Sequence, residues 1–222
     1  MATTTLHGYW RSSCSYRVRI MLNLKGVAYA NKAVHLVKSG GEQHSEAYVS
    51  LNPTHKVPTL EIDGLTLVQS SAIGEYLEET RPQPTLLPGD AATRAHIRAL
   101  CCIISNDIQP VGNLGVLQRL VTLLPPDASP ELKASTRDEW ARHYISAGFL
   151  ALETLMAPKA GKFSVGDDVT LVDAFLAPQV YNALRVGIDV ATFPTIHRVM
   201  GELEKLEAFA QAHPSLQPDA DK

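Results

Sequence analysis

The chain has 222 residues, 45% hydrophobic and 19% charged, a balance that excludes fibre and disorder and fits one or two globular domains needing no staples. Twenty Lys and Arg against 23 Asp and Glu leave a formal charge of −3 with no basic block to neutralise phosphates, so nucleic acid is not an expected partner. No apolar run could span a bilayer, Met1-Ala2-Thr3-Thr4-Thr5 lacks the regions of a secretory signal, and Cys14, Cys101 and Cys102 form no disulfide framework; a reduced, cytoplasmic protein is expected.

Thr4–Tyr9 reads as a strand and Ser13–Lys25 as a helix closed by Gly26. Val34 and Leu36 flanking His35 predict a second strand by alternation. Residues 58–62 and 65–68 form a hairpin around Asp63-Gly64, and Ser71–Glu79 closes the region as a helix. The order is β-α-β then β-β-α. Residues 81–90 hold three prolines and a glycine and predict an extended linker. Beyond it the pattern is helical. Asp90 caps a helix to about Leu124 with a break at Pro110, Ser129-Pro130 opens one to about Met156, and Thr170–Asp173 is a capping box for one to about Val186. In the second of these Trp140, Tyr144, Phe149, Leu152 and Met156 fall on one stripe. Pro194 starts a last helix reaching Leu206, and Gln217–Lys222 reads as a frayed tail. The domains are thus 1–81, a linker 82–90, and 91–222.

The segment Arg11-Ser12-Ser13-Cys14-Ser15-Tyr16-Arg17 lies between the first strand and first helix. Unpaired N–H groups and the positive end of the dipole favour an anion there, a thiolate included. Ser12 or Ser13 could equally be a plain helix cap, and Cys14 a nucleophile, although no histidine partner marks it. Val57-Pro58 precedes a strand; general preference favours a trans bond, while a cis bond would turn the Val57 backbone outward toward a peptide-like ligand. Gln69-Ser70-Ser71, between strand and helix, suits a carboxylate. The eight histidines are scattered without ligand spacing, so no metal is expected. Cys101 and Cys102 read as buried small hydrophobes.

Taken together, the hydroxyl-rich turn, Val57-Pro58, and Gln69-Ser70-Ser71-Ala72-Ile73, followed by a proline linker and helices, resemble the glutathione transferase family from about Leu6 to His213. Ser12-Ser13-Cys14-Ser15-Tyr16-Arg17-Val18-Arg19-Ile20 is similar to the zeta-class motif, and Asp107–Leu114 to that class's second segment. The resemblance implies an α/β thioredoxin-like N-terminal domain, an all-α C-terminal domain and a homodimer. It implies glutathione as cofactor, its sulfur on Ser12, with Ser13 and Cys14 in the same turn as further catalytic candidates. Gln69 and Ser70 would hold the γ-glutamyl end, Val57 before a cis Pro58 the cysteinyl backbone, and Gln43 the glycyl end. Gln109 and Asn113 would close the pocket, and Asp173 would be a structural capping acid.

The zeta class resembles maleylacetoacetate isomerases of phenylalanine and tyrosine breakdown. A thiolate would add to the cis double bond, the bond would rotate in the enolate, and thiolate departure would leave the trans isomer with glutathione regenerated. A dicarboxylate substrate needs cationic anchors, for which Arg11 and Arg185 are the candidates, each otherwise a solvated side chain. Related maleylpyruvate isomerases carry arginines after the Asn of the second segment, where Leu114-Gly115 stand here, and Gly-Thr where the turn has Ser-Cys. This favours maleylacetoacetate. The rivals are a maleylpyruvate isomerase, a transferase acting on haloacids, and a non-catalytic binding module.

Overall fold

The structure, a computed structural model, describes residues 4–220. The opening three residues of the N-terminal stretch and the last two of the expected tail lie outside the described residues. Two compact units divide the chain: residues 1–86 with 204–222, and residues 87–203.

The first unit is built on a four-stranded sheet of order β2-β1-β3-β4, comprising β1 (Thr5–Gly8), β2 (Ala30–Ala33), β3 (Thr59–Ile62) and β4 (Leu65–Val68). β2 runs parallel to β1 through the crossover helix α1 (Ser13–Leu24), while β3 and β4 are antiparallel neighbours. A short helix α2 (Glu46–Val49) precedes β3, and α3 (Ser70–Thr80) follows β4. The β3–β4 hairpin turns on Asp63 and Gly64, both at positive φ (53° and 79°), the pair a tight two-residue hairpin requires. The second strand lies upstream of the position read from Val34 and Leu36. β2 is an exposed edge strand and carries no apolar alternation to read, whereas Val34 is buried against Tyr9, Tyr48 and Val57.

Helix α1 is buried along most of its length, including Arg17 and Arg19 at 1% exposure. Arg19 is anchored by backbone carbonyls: Nε donates to Ala212 O and NH2 to Trp10 O, both at 3.0 Å. The buried Lys25 Nζ donates to Glu78 Oε2 and to Pro84 O, each at 2.6 Å, which ties the start of the linker to α1 and α3. Burial pushes the Glu78 carboxyl up, but hydrogen bonds from Lys25, Thr85 and the Leu86 amide, with the Lys25 charge, outweigh it and leave it below its ordinary value.

The second unit holds α4 (Ala91–Cys102), α5 (Leu114–Val121), α6 (Pro130–Met156), α7 (Leu171–Arg185) and α8 (Pro194–Leu203). The expected long helix from Asp90 is interrupted earlier than Pro110: Ile103–Ile108 is a wider π-helical stretch, and a turn at 109–113 leads into α5. Cys101 is buried but Cys102 is exposed, because adjacent helical positions point to different faces. On α6 the buried line is Ala141, Ile145, Phe149, Leu152 and Met156, while Trp140 and Tyr144 lie half-buried beside it. At Gly148 an added Cβ would stand 2.3 Å from the Cδ1 and Cγ1 atoms of Ile108, so a larger residue there would force the Ile108 side chain to shift. Glu153 of α6 accepts from the amides of Thr195 and Ile196 and thereby caps α8.

The expected helix to Leu206 stops at Leu203. A separate helix, α9 (Glu207–Ala212), follows an extended Leu206 and packs with the first unit, as do residues up to 220. The sequence reading placed all of 91–222 in the helical domain. Hydrogen bonds from Asn23 to Ala208 O and from Arg19 to Ala212 O account for the difference. The tail from Gln217 is not frayed where described: Gln217 is buried, and its Nε2 donates to Gln211 O and His213 O.

Asp173 is fully buried as the third residue of α7. It accepts from Ser164 N, Thr170 N and Thr170 Oγ1 at 3.0, 2.7 and 3.0 Å, the capping role expected of it. Asp173→Ala orphans these buried donors and is expected to lower unfolding stability by about 3 kcal/mol in a denaturant titration. Lys25→Met removes the cation paired with the Glu78 carboxylate while the hydrogen bonds from Thr85 and Leu86 remain, and should cost about 3 kcal/mol at neutral pH. Because the folded Glu78 value is depressed, that difference is complete above the ordinary carboxyl value of 4.5. It should shrink as pH falls from there through the folded value, which paired denaturation curves at neutral and acid pH would check.

Candidate active site

Sheet topology gathers the candidate residues of the first unit. β1 ends at Gly8, just before the turn to α1. β3 runs antiparallel to it, with His7 opposite Thr59, so Val57-Pro58 enters at the end where β1 leaves. Thr59 also pairs with Val68, which brings the end of β4, and hence Gln69-Ser70, to the same place. The parallel β2 leaves the sheet at this end too, on the way to Gln43. Gly8 lets the first turn of α1 come close: a Cβ there would stand 3.1 Å from Ser15 Oγ.

Ser12 is the N-cap of α1, with extended φ and ψ of −67° and 120°, and its Oγ accepts from Ser15 N at 3.2 Å. Its carbonyl accepts from Tyr16 N at 2.9 Å. An α-helix begins with four amides that have no intrahelical partner. Of these, that of Ser12 donates to Tyr9 O, that of Ser15 to the Ser12 hydroxyl, and those of Ser13 and Cys14 have no partner among the described residues. Capping uses one acceptor lone pair of the hydroxyl and leaves its O–H to donate elsewhere. Capping therefore does not prevent the same hydroxyl from donating to an anion. Ser13 is buried, while Ser12, Cys14 and Arg11 are half-buried. The Arg11 guanidinium lies 5.5 Å from the centre of the Trp10 ring.

The Val57-Pro58 bond is cis, as is Gln83-Pro84, which the sequence reading did not anticipate. Gln69 stands at φ 70° and ψ 114°, a conformation that non-glycine residues rarely adopt and that costs about 1–3 kcal/mol. Ser70 is buried, and its Oγ accepts from Arg17 NH1 at 3.4 Å, which links α1 to α3 beneath the two turns. Gln43 is 7% exposed; its Nε2 donates to Leu36 O at 3.5 Å, and Oε1 has no partner among the described residues. The histidines are not wholly scattered: His44 Nδ1 and His55 Nδ1 are 3.2 Å apart. Among the described residues no group of three or more His, Cys, Asp or Glu could hold a metal ion. No helix there is long and apolar enough to cross a membrane.

In the second unit, Gln109 follows the π stretch, its amide donating to Ile104 O at 3.0 Å. Asn113 caps α5, its Oδ1 accepting from Gly115 N at 3.2 Å, which leaves the Nδ2 donors for other use. Trp140 Nε1 donates to Val111 O at 2.9 Å and steadies the turn between them. Arg185 is the last residue of α7 and is exposed, its guanidinium 6.0 Å from the Tyr181 ring centre.

Two supports escaped the sequence reading. Arg17, which the sequence marks only as part of the motif, reaches the Ser70 hydroxyl. Asp219 was placed in a frayed tail, yet its Oδ2 accepts from Trp10 N at 2.9 Å, two residues before Ser12. No local motif marks either contact. The only sequence signal was an acceptor-rich segment, Gln217-Pro218-Asp219, after a proline-terminated helix.

Residues 11–80 match the model of the glutathione S-transferase N-terminal domain. A probable maleylacetoacetate isomerase of Drosophila melanogaster is 48% identical over 214 residues, 96% of this chain and 89% of that protein. Among solved structures, the holo form of a bacterial zeta-class maleylpyruvate isomerase superposes with a TM-score of 0.90 at 42% identity, covering 98% of this chain and 100% of the other. The glutathione-bound maleylacetoacetate isomerase of Anaeromyxobacter dehalogenans gives 0.85 at 45% identity, covering 99% and 98%. The thioredoxin-like first unit, the unclaimed donors at the start of α1 and these likenesses agree: the chain belongs to the zeta-class glutathione transferase and maleylacetoacetate isomerase family.

Proposed function

We propose that this protein is a glutathione-dependent cis–trans isomerase that converts maleylacetoacetate to fumarylacetoacetate. The observation that carries the reading is the start of α1, where the Ser12 hydroxyl and the Ser13 and Cys14 amides are donors with no acceptor among the described residues. Bound there, glutathione supplies a thiolate nucleophile that adds to the double bond, departs after rotation, and is not consumed.

The rest of the work falls to the protein. Ser12 donates its O–H to the sulfur and, with the two amides and the dipole, favours the ionised thiol. Ser13 and Cys14 stand next in line for that role. Val57, which precedes Pro58, is proposed to pair through its backbone with the cysteinyl residue. Gln69 and Ser70 take the γ-glutamyl carboxylate at the start of α3, and Gln43 the glycyl end. From the helical unit, Gln109 and Asn113 are proposed to serve glutathione, and Arg185 a substrate carboxylate. Arg11 is the second cationic anchor, its guanidinium suited to a bidentate grip. We further propose a cytoplasmic homodimer that takes a small dicarboxylate.

The likeness to a maleylpyruvate isomerase favours that substrate as a second reading. Against it, Leu114 and Gly115 put no cation beside Asn113. Purified protein with maleylacetoacetate and substoichiometric glutathione should deplete the cis isomer while total glutathione stays constant. Stoichiometric loss of glutathione would reassign the chain to conjugation, and turnover of maleylpyruvate alone would favour the second reading. Ser12→Ala should lower kcat about a hundredfold, by analogy with the removal of one preorganised donor, while glutathione affinity changes far less. Unchanged turnover in that variant would move the role to Ser13 or to the helix terminus.

A further inference from the structure

The turn that presents Ser12 is held from the far end of the chain. Ser12 N donates to Tyr9 O at 3.0 Å, so Trp10 and Arg11 form the crest of a tight turn. Both peptide groups of Trp10 are engaged. Its N–H donates to Asp219 Oδ2 at 2.9 Å, and its carbonyl accepts from Arg19 NH2 at 3.0 Å. Arg19 Nε simultaneously grips Ala212 O, the last residue of α9. The segment that delivers Asp219 is itself ordered: Gln217 N donates to Pro214 O, Ala220 N donates to Gln217 O, and the Gln217 side chain bonds back to Gln211 and His213.

Folding economy alone does not explain a carboxylate at this position. Asp219 Oδ1 is withdrawn from solvent with no hydrogen-bond partner among the described residues, and so is the neighbouring Trp10 Nε1. A half-buried carboxylate with one oxygen shielded and unpartnered opposes folding, and a neutral acceptor could satisfy the Trp10 amide at lower cost. What the charge adds is a shorter, stiffer bond. That stiffness falls on the peptide next to Arg11 and two residues before Ser12, where a small misplacement of a reacting or orienting group is expensive.

We propose that Asp219 is a positioning residue for the isomerisation, acting through the Trp10 peptide to fix the Ser12 hydroxyl and the Arg11 guanidinium. This rests on the isomerase reading above. The test compares the full chain with Asp219→Asn, Asp219→Ala and a chain ending at Gln217. It measures unfolding temperature, ionisation of bound glutathione by thiolate absorbance, and kcat and KM for maleylacetoacetate. Asp219→Ala and the shortened chain should lose about tenfold in kcat, with the bound thiol titrating at higher pH and KM little changed. Asp219→Asn, which keeps an acceptor but not the charge, should lose about threefold.

Wild-type kcat and thiol titration in Asp219→Ala would overturn the proposal. So would equal losses in the Ala and Asn variants that merely track a lowered unfolding temperature. If Asp219→Ala does not fold, Asp219→Asn decides in the same terms: about threefold lower kcat supports the proposal, and wild-type values overturn it. Thiol titration needs no second substrate. A wild-type protein inactive on maleylacetoacetate would therefore sink the isomerase reading while leaving the Asp219 effect measurable.

Discussion

A helix must satisfy its first amides somewhere, and in α1 the Ser12 side chain and carbonyl take only those of Ser15 and Tyr16. The amides of Ser13 and Cys14 remain, together with the Ser12 O–H and the positive end of the helix dipole. Such a place gains from an anion and has none of its own: α1 carries no acidic residue in its first turn. A thiolate is a soft, diffuse anion that a few donors at close range can favour over its thiol. The chemistry proposed for this chain amounts to keeping that local deficit of acceptors open until glutathione fills it.

The surrounding fold keeps the deficit in place. Strand pairing brings the ends of β1 and β4 and the entry to β3 together, so the Ser12 turn, Val57-Pro58 and the Gln69-Ser70 turn share one end of the sheet. Beneath them Arg17 connects α1 to the Ser70 hydroxyl, and Arg19 connects α1 to the Trp10 turn and to α9. Two guanidinium groups at 1% exposure are an unusual core. Each bonds oxygen atoms at the edges of the site, so their burial fixes turns as well as filling volume. The strained Gln69 fits the same pattern, since local strain persists where the surroundings over-determine it.

Much of this was legible in the residues. Ser12 ahead of α1, the Asp63-Gly64 turn, Ser129-Pro130 and the Thr170–Asp173 box are local signals, and each stands at the element boundary it predicted. The failures have a common cause. β2 is an exposed edge strand without alternation; the π stretch at Ile103–Ile108 departs from the helical period only through its backbone; and the last segment owes its position to contacts with Asn23 and Arg19 far away in sequence. At the candidate site the hydroxyl turn is a local pattern, whereas the contacts of Arg17 and Asp219 depend on partners 53 and 209 positions away. Periodicity and capping report what a residue does to its neighbours, and these residues act across the fold.

The account is tested most directly by the protonation state of glutathione on the protein. Thiolate absorbance of the bound tripeptide, followed against pH in the wild-type protein and in Ser12→Ala, should show a wild-type thiol already ionised at neutral pH, with its midpoint below that of free glutathione. The midpoint should move upward in the variant. A bound thiol that stays protonated at neutral pH, or one whose titration matches free glutathione, would contradict the role assigned to the start of α1.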